Sequence, residues 1–283
     1  MIVERSDARA ICVRLSPDGV GWEKTFLLSS DRHHDHRHCD HALEKRHLDE
    51  AKERNAGIID IGDLFCAMQG KWDKRSSMSA LRPELMVSNY LDALVNYNAA
   101  FYEPYAENFV MISPGNHEGS IYERHQTDLT ARLVKRLQDR GSPVLQGTYN
   151  GWVRFMFEFG NSRSSIRLWY THGYGGGGQV TKDLIQASRQ LVYTEADILV
   201  SGHTHDAWMV PVRRESLLDS GRVTYRDIEV IKCGSYKDEY QEGGGWSAGK
   251  GHPPKPMGAV WLTFKCVNAK PARKIIFETQ RAK

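Results

Sequence analysis

Seven residues of this sequence carry side chains that ligate divalent metals, and each follows a short apolar run: Asp31, His33, Asp63, Asn116, His172, His203 and His205. Carboxylate, imidazole and amide oxygen suit divalent Mn, Fe or Zn, and no thiol belongs to the set. Seven mixed nitrogen and oxygen donors exceed the needs of one ion. They suit two ions that share a bridging carboxylate, roughly 3.5–4 Å apart. Such a pair neutralises phosphate oxygens, acidifies a bridging water to hydroxide and orients in-line attack on a phosphoester. The leaving alkoxide then needs a proton from an unliganded histidine. His117, directly after Asn116, is the candidate.

The apolar runs must position these residues. They are Thr25–Ser29, Gly57–Ile61, Phe109–Ser113, Ile166–Tyr170 and Asp197–Ser201, each closed by Gly, Asp, Asn or His. Runs of this length and composition predict core strands. Between them, Asp40 is an N-cap for a helix over Ala42–Asn55, and Pro83 sits in the first turn of a helix running toward Phe101. Leu129, Leu133 and Leu137 mark an amphipathic helix over Asp128–Asp139, and a weaker pattern covers Lys182–Leu191. The alternation predicts an α/β layered sheet. After His205, the segments Ala207–Val212, Arg222–Lys232, Ala259–Val267 and Lys274–Glu278 read as strands without helices between them, expected to form a second sheet packed on the first. Gln241–Lys255, rich in Gly and Pro, reads as a loop. No repeat or linker divides the chain, which predicts one domain over residues 1–283.

Composition is that of an ordinary globular protein, with 40% hydrophobic and 26% charged residues. A formal net charge of +3 tolerates an anionic substrate but is too weak to imply nucleic-acid binding. The five cysteines, Cys12, Cys39, Cys66, Cys233 and Cys266, are scattered and form no CxxC pair, which argues for a reducing compartment. The N-terminus is polar and resembles no signal peptide, and no apolar stretch is long enough to cross a membrane. The expected address is cytoplasmic, with no membrane partner.

The order Asp31-x-His33, Gly62-Asp63, Gly115-Asn116-His117-Glu118, His172 and Gly202-His203-Thr204-His205 resembles the calcineurin-like metallophosphoesterase family. The resemblance covers roughly residues 25–235, including Cys233-Gly234-Ser235, which is similar to the Gly-Ser turn often found after the last motif. It implies a four-layer α/β/β/α sandwich of two mixed β-sheets flanked by helices. It also implies one metal on Asp31, His33, Asp63 and His205 and another on Asp63, Asn116, His172 and His203, with Asp63 bridging and His117 as general acid. Mn is the foremost choice of metal, with Zn, Fe, Ni or Mg as alternatives. The chain also resembles members carried by bacteriophages. Departures narrow the class. Leu64-Phe65-Cys66-Ala67 stands where the family's protein Ser/Thr phosphatases carry an Asp and an Arg, and Gly119-Ser120-Ile121 lacks their following Arg. Gly62-Asp63-Leu64-Phe65 is similar to the family's DNA-repair nucleases, which usually read GNHD rather than the GNHE found here. The expected activity is therefore phosphodiester hydrolysis, on a substrate that could be a nucleotide or nucleic acid. A nuclease and a phosphomonoesterase are the alternatives. A catalytically silent protein-binding scaffold is the rival from another class, and the intact ligand set and His117 argue against it.

Other residues have plainer readings. Glu118 either orients His117 or a strand terminus, or is simply solvated. His34, His36, His38 and His41 read as a solvated loop and helix start rather than a further metal site, and Asp35 is left open. The Gly173–Gly178 loop either points N–H groups at a phosphate or is a bystander. Lys71-Trp72-Asp73-Lys74-Arg75 with Arg82 reads as a solvated surface loop ahead of a polynucleotide grip, and His125 as part of a surface helix. Gly202 reads as backbone crowding near the metals.

Overall fold

Strands buried on both faces read as unbroken apolar runs, and strands buried on one face alternate; this chain has both kinds. The computed structural model describes residues 1–67, 80–160, 162–240, 249–269 and 272–282. Its strands are β1 (Ile2–Asp7), β2 (Ala10–Leu15), β3 (Glu23–Ser29), β4 (Gly57–Asp60), β5 (Phe109–Ile112), β6 (Leu145–Gln146), β7 (Asn150–Phe159), β8 (Ser162–Thr171), β9 (Ile198–Ser201), β10 (Trp208–Leu217), β11 (Val223–Lys232), β12 (Val260–Ala269) and β13 (Ala272–Arg281). Its helices are α1 (His41–Glu53), α2 (Tyr90–Tyr102), α3 (Asn116–His125), α4 (Leu129–Gln138) and α5 (Leu184–Tyr193). The buried four-residue strands β4, β5 and β9 are central, and each pairs in parallel on both sides.

The strands form two mixed sheets. One has seven strands in the order β1-β2-β7-β8-β9-β11-β10, and the other six in the order β13-β12-β3-β4-β5-β6. Side-chain alternation sorts residues between layers. In β3, Phe26 and Leu28 enter the core between the sheets, where they meet Val153, Phe155 and Phe157 of β7. Leu27 faces the other way, into a core with Leu48 of α1, Leu94 of α2 and Leu133 of α4. On the far side, Ala187 of α5 packs against Trp169 and Leu199 of the seven-stranded sheet. The result is the α/β/β/α sandwich that the resemblance implied.

Several boundaries follow from local chemistry. Asp40 accepts the N–H of Leu43 at 2.9 Å and starts α1, and Asp128 accepts that of Ala131 at 2.8 Å and starts α4. The helix expected from Pro83 is corrected. Pro83–Leu85 is a separate 3-10 turn ending at Met86 with non-helical ψ 63, and α2 begins only after Asn89. The strands after His205 are also corrected. They do not make up a sheet of their own: β11 adds in parallel to β9, β12 adds antiparallel to β3, and β10 and β13 extend those edges. Each finds an open edge of a sheet already begun, and the seven-stranded sheet draws its other side from β1, β2 and β7.

Candidate metal centre

The seven candidate ligands come together at the carboxyl ends of five strands from both sheets, where loops leave a parallel sheet and ligands characteristically bind. Asp31 and His33 follow β3, Asp63 follows β4, Asn116 follows β5, His172 follows β8, and His203 and His205 follow β9. The backbone there is strained. Asp31, His33, Asp63, His203 and His205 have φ of 51°, 45°, 54°, 75° and 58°. A side chain in this left-handed region costs on the order of 1 kcal/mol, so at five convergent positions the surrounding structure must impose it. Gly202 has no room for a side chain, because a Cβ there would lie 2.6 Å from Asp31 Oδ2; the crowding reading holds.

The donors fall into two groups. In the first, His205 Nε2 lies 3.2 Å from His33 Nε2 and 3.5 Å from Asp31 Oδ1. Asp31 Oδ2 accepts the Ser30 hydroxyl at 2.6 Å and the His203 backbone N–H at 2.8 Å, while Oδ1 is buried without a hydrogen-bond partner. In the second, His172 Nε2 lies 3.0 Å from Asn116 Oδ1 and 3.1 Å from Asp63 Oδ2, and His203 Nδ1 lies 2.7 Å from Asn116 Oδ1. The opposite ring nitrogens explain this arrangement. His172 Nδ1 faces the Ile61 carbonyl at 3.2 Å and His203 Nε2 faces the Gly175 carbonyl at 2.9 Å. A carbonyl only accepts, so each ring gives an N–H there and turns its opposite nitrogen toward Asn116 and Asp63, where it offers a lone pair once it carries no second proton. Fixing a histidine through its outer nitrogen is the usual support of a metal ligand. At these distances the converging oxygens and ring nitrogens need positive charge between them, which a second proton on His172 or a metal ion in its place supplies.

The electrostatics agree. Burial pushes His172 and His205 down, yet Asp63 lifts the first and Asp31 with Glu239 lifts the second, each to about 9. Burial pushes His203 down, leaving it no second proton to offer Asn116 at neutral pH. Asp31 and Asp63 repel across the cleft, and both carboxylates are held below the usual range by the histidines around them, against burial. The cleft thus draws positive charge. A pair of oxygen- and nitrogen-coordinated divalent ions fits this donor set.

His117 stands at the start of α3. Its backbone N–H donates to Asp63 Oδ1 at 2.9 Å, its Nδ1 donates to the Cys66 carbonyl, and its Nε2 lies 3.8 Å from Asp63 Oδ2. Glu118 is buried, not solvated. It accepts N–H groups from Asp63 at 3.2 Å, Phe65 at 2.9 Å and Gly115 at 2.8 Å, and so orients the end of β4 and the start of α3. The Gly-Ser turn also acts on the site, since Ser235 Oγ donates to the Asp31 carbonyl at 2.8 Å. The Gly173–Gly178 loop meets the site through the Gly175 carbonyl.

The solvated reading of the histidine-rich stretch is overturned for His34 and His36, which are buried. Burial drives His36 down to about 3 and His41, half-buried at the start of α1, down to about 4. His34 Nδ1 contacts Glu44 Oε2 at 2.7 Å, in a network with Arg32, Asp60 and Tyr102 that sequence reading missed. Its one signal was Asp60, an acid inside an apolar run. Glu239, 3.5 Å from His205 Nδ1, carried no signal. Arg82 turns inward to the Cys39 carbonyl at 3.3 Å, while Lys71, Trp72, Asp73, Lys74 and Arg75 lie outside the described residues. His125 is exposed at the end of α3, as read. No helix among the described residues is long and apolar enough to cross a membrane.

Solved structures similar to this chain include vacuolar protein sorting 29 from Cryptosporidium parvum, 14% identical over 92% of this chain and 99% of that one, with a TM-score of 0.36. A metallophosphoesterase from Sphaerobacter thermophilus is 13% identical over 90% and 87%, with a TM-score of 0.36. GAP50, the anchor in the inner membrane complex of Plasmodium, is 12% identical over 92% and 85%, with a TM-score of 0.42. These likenesses are too loose to transfer an activity or a partner. No curated protein matches the chain. The sequence profile of the calcineurin-like phosphoesterases matches residues 24–207, more than half the chain and all seven candidate ligands with His117, and the chain belongs to that family.

Proposed function

We propose that this protein is a dinuclear-metal phosphodiesterase with His117 as its general acid. The observation that carries the reading is the turning of His172 and His203, each anchored by a backbone carbonyl, so that their opposite ring nitrogens converge with Asn116 Oδ1 and Asp63 Oδ2. Asp31, His33 and His205 would hold one divalent ion and Asn116, His172 and His203 the other, with Asp63 available to both. Bound there, the ions would neutralise the phosphate oxygens and acidify an attacking water. His117 donates its proton from Nε2 to the leaving oxygen, while the Cys66 carbonyl keeps the proton on Nδ1. Two cations near the cleft, Lys237 and Lys255, are paired with Glu239 at 3.6 Å and Asp206 at 3.8 Å. Among the described residues these two lysines are thus already paired, and the expectation of a diester carries over from the sequence.

The test is a metal-by-substrate screen on bis-p-nitrophenyl phosphate, p-nitrophenyl phosphate and single-stranded DNA. Chelated protein should be inactive, and added Mn should restore hydrolysis, fastest on the diester. Full activity in metal-free protein would overturn the metal role. Preference for the monoester would overturn the substrate class, and preference for DNA would make the protein a nuclease.

A further inference from the structure

Asp35 lies two residues beyond His33, fully buried, and takes no part in either donor group. Its two carboxylate oxygens accept consecutive backbone N–H groups, from Cys66 at 2.6 Å and from Ala67 at 2.9 Å. Ala67 has φ of 45°, a left-handed conformation that an alanine adopts only when its surroundings impose it. Two charge-assisted bonds to one carboxylate supply that constraint. The forced turn determines where the Cys66 carbonyl points, and that carbonyl accepts the Nδ1–H of His117.

We propose that Asp35 is a positioning residue for the acid, acting on His117 through the Cys66–Ala67 turn. The inference rests on the acid role of His117 proposed above. A carbonyl accepts but never donates, so it holds one proton on Nδ1 and leaves Nε2 as the nitrogen that gains and loses the other. Nε2 is the atom on the Asp63 side of the ring, 3.8 Å from that carboxylate. Without the Asp35 carboxylate, the Cys66 and Ala67 N–H groups lose their acceptor and the left-handed turn relaxes. The carbonyl then swings away from His117. The imidazole is free to change tautomer and to rotate, and a misplacement of about 1 Å in a reacting group costs up to about a hundredfold in rate. Glu118 acts on the same loop from the other side, through Asp63 and Phe65, and leaves the Cys66 and Ala67 N–H groups to Asp35.

The experiment compares wild type, Asp35→Asn, His117→Asn and the double variant at equal metal content, on an alkyl phosphodiester and on bis-p-nitrophenyl phosphate. Asp35→Asn should lower kcat on the alkyl ester about ten- to a hundredfold with KM unchanged, and should leave the p-nitrophenyl ester nearly untouched. The double variant should be no slower than His117→Asn alone. Equal losses on both esters, or losses that multiply in the double variant, would overturn the proposal. Equal losses in His117→Asn itself would instead defeat the acid role, and nitrogen-15 NMR of the histidines then decides the positioning claim alone. Wild type should show His117 protonated at Nδ1, and Asp35→Asn a mixture of tautomers; an unchanged tautomer overturns the claim. Should Asp35→Asn not fold, Asp35→Glu keeps the charge, displaces the carboxylate by one methylene and meets the same two criteria.

Discussion

His33 and His34 are neighbours in sequence, and their rings end in opposite kinds of environment. The His34 cluster, with Cys39, His41 and Glu44, brings together four His, Cys or acidic ligands, against three in each group of the cleft. Its one carboxylate is already answered by protein donors. Glu44 Oε1 takes Arg32 Nη1 at 3.0 Å and the Tyr102 hydroxyl at 2.5 Å, and Oε2 takes His34 at 2.7 Å. Arg32 reaches on to Asp60 at 2.7 Å, so the buried charges pair. The His34 and His41 rings stack at 4.1 Å with planes 8° apart, and in-plane lone pairs on parallel rings do not meet at one ion. In the cleft, by contrast, two carboxylates, an amide oxygen and four imidazoles converge on strained backbone, with no arginine or lysine among the described residues paired to the carboxylates. Residue type is shared by the two clusters, and the balance of donors and acceptors separates them.

The comparison breaks or sharpens by substitution. Asp63→Asn should have the largest effect, because one carboxylate is asked to serve two cations. Both ions should be lost and hydrolysis should fall by about a thousandfold or more. Metal analysis showing two ions retained would contradict the bridging role.

Glu44→Ala should act on stability. It leaves Arg32 buried beside Asp60 alone and should cost about 3–5 kcal/mol in urea unfolding, with metal content per folded molecule unchanged. Metal loss at full stability would make the His34 cluster a metal site and erase the distinction. The network also sets an acid limit. Burial raises Glu44, but His34, Arg32 and Tyr102 pull it down to about 2, below its ordinary 4.5. A depressed carboxylate stabilises the fold fully above its unfolded pKa and loses that contribution as pH falls through the folded value, here from about 4.5 to about 2. Glu44→Gln should flatten the stability profile in that window, and an unaltered acid limb would count against the assignment.

Asn116→Ala should be milder, weakening one ion and sparing the other, so that the stoichiometry at limiting Mn falls from two toward one. Loss of both ions would mean that the two groups do not bind separately. His41→Phe should be smallest. It keeps a ring stacked on His34 and removes one bond, from His41 to the His34 carbonyl at 2.7 Å, for about 1 kcal/mol and no change in rate.

The convergence of the candidate ligands was legible in the sequence because each follows the apolar run that places it, and a run of four or five buried residues is a local signal. The helix caps were legible for the same reason, at Asp40 and Asp128. Sheet membership was not. Whether β12 pairs with β3 or with β11 depends on edges more than two hundred residues apart in the chain, and nothing within Val260–Ala269 records it. The burial of His34 and His36 was hidden likewise. Their polar neighbours in sequence suggested water, while the partners that bury them, Glu44, Tyr102 and Leu81, come from other segments. Asp35 escaped for a related reason, since its function lies in the backbone of Cys66 and Ala67 rather than in any side chain.

The most direct test of the central claim is anomalous X-ray scattering from crystals grown with Mn. The account expects two anomalous peaks in the cleft. One should be ligated by Asp31, His33 and His205 and the other by Asn116, His172 and His203, with Asp63 touching both, and no peak should lie among His34, Cys39, His41 and Glu44. A single peak, two peaks without Asp63 between them, or a peak beside Glu44 would contradict it.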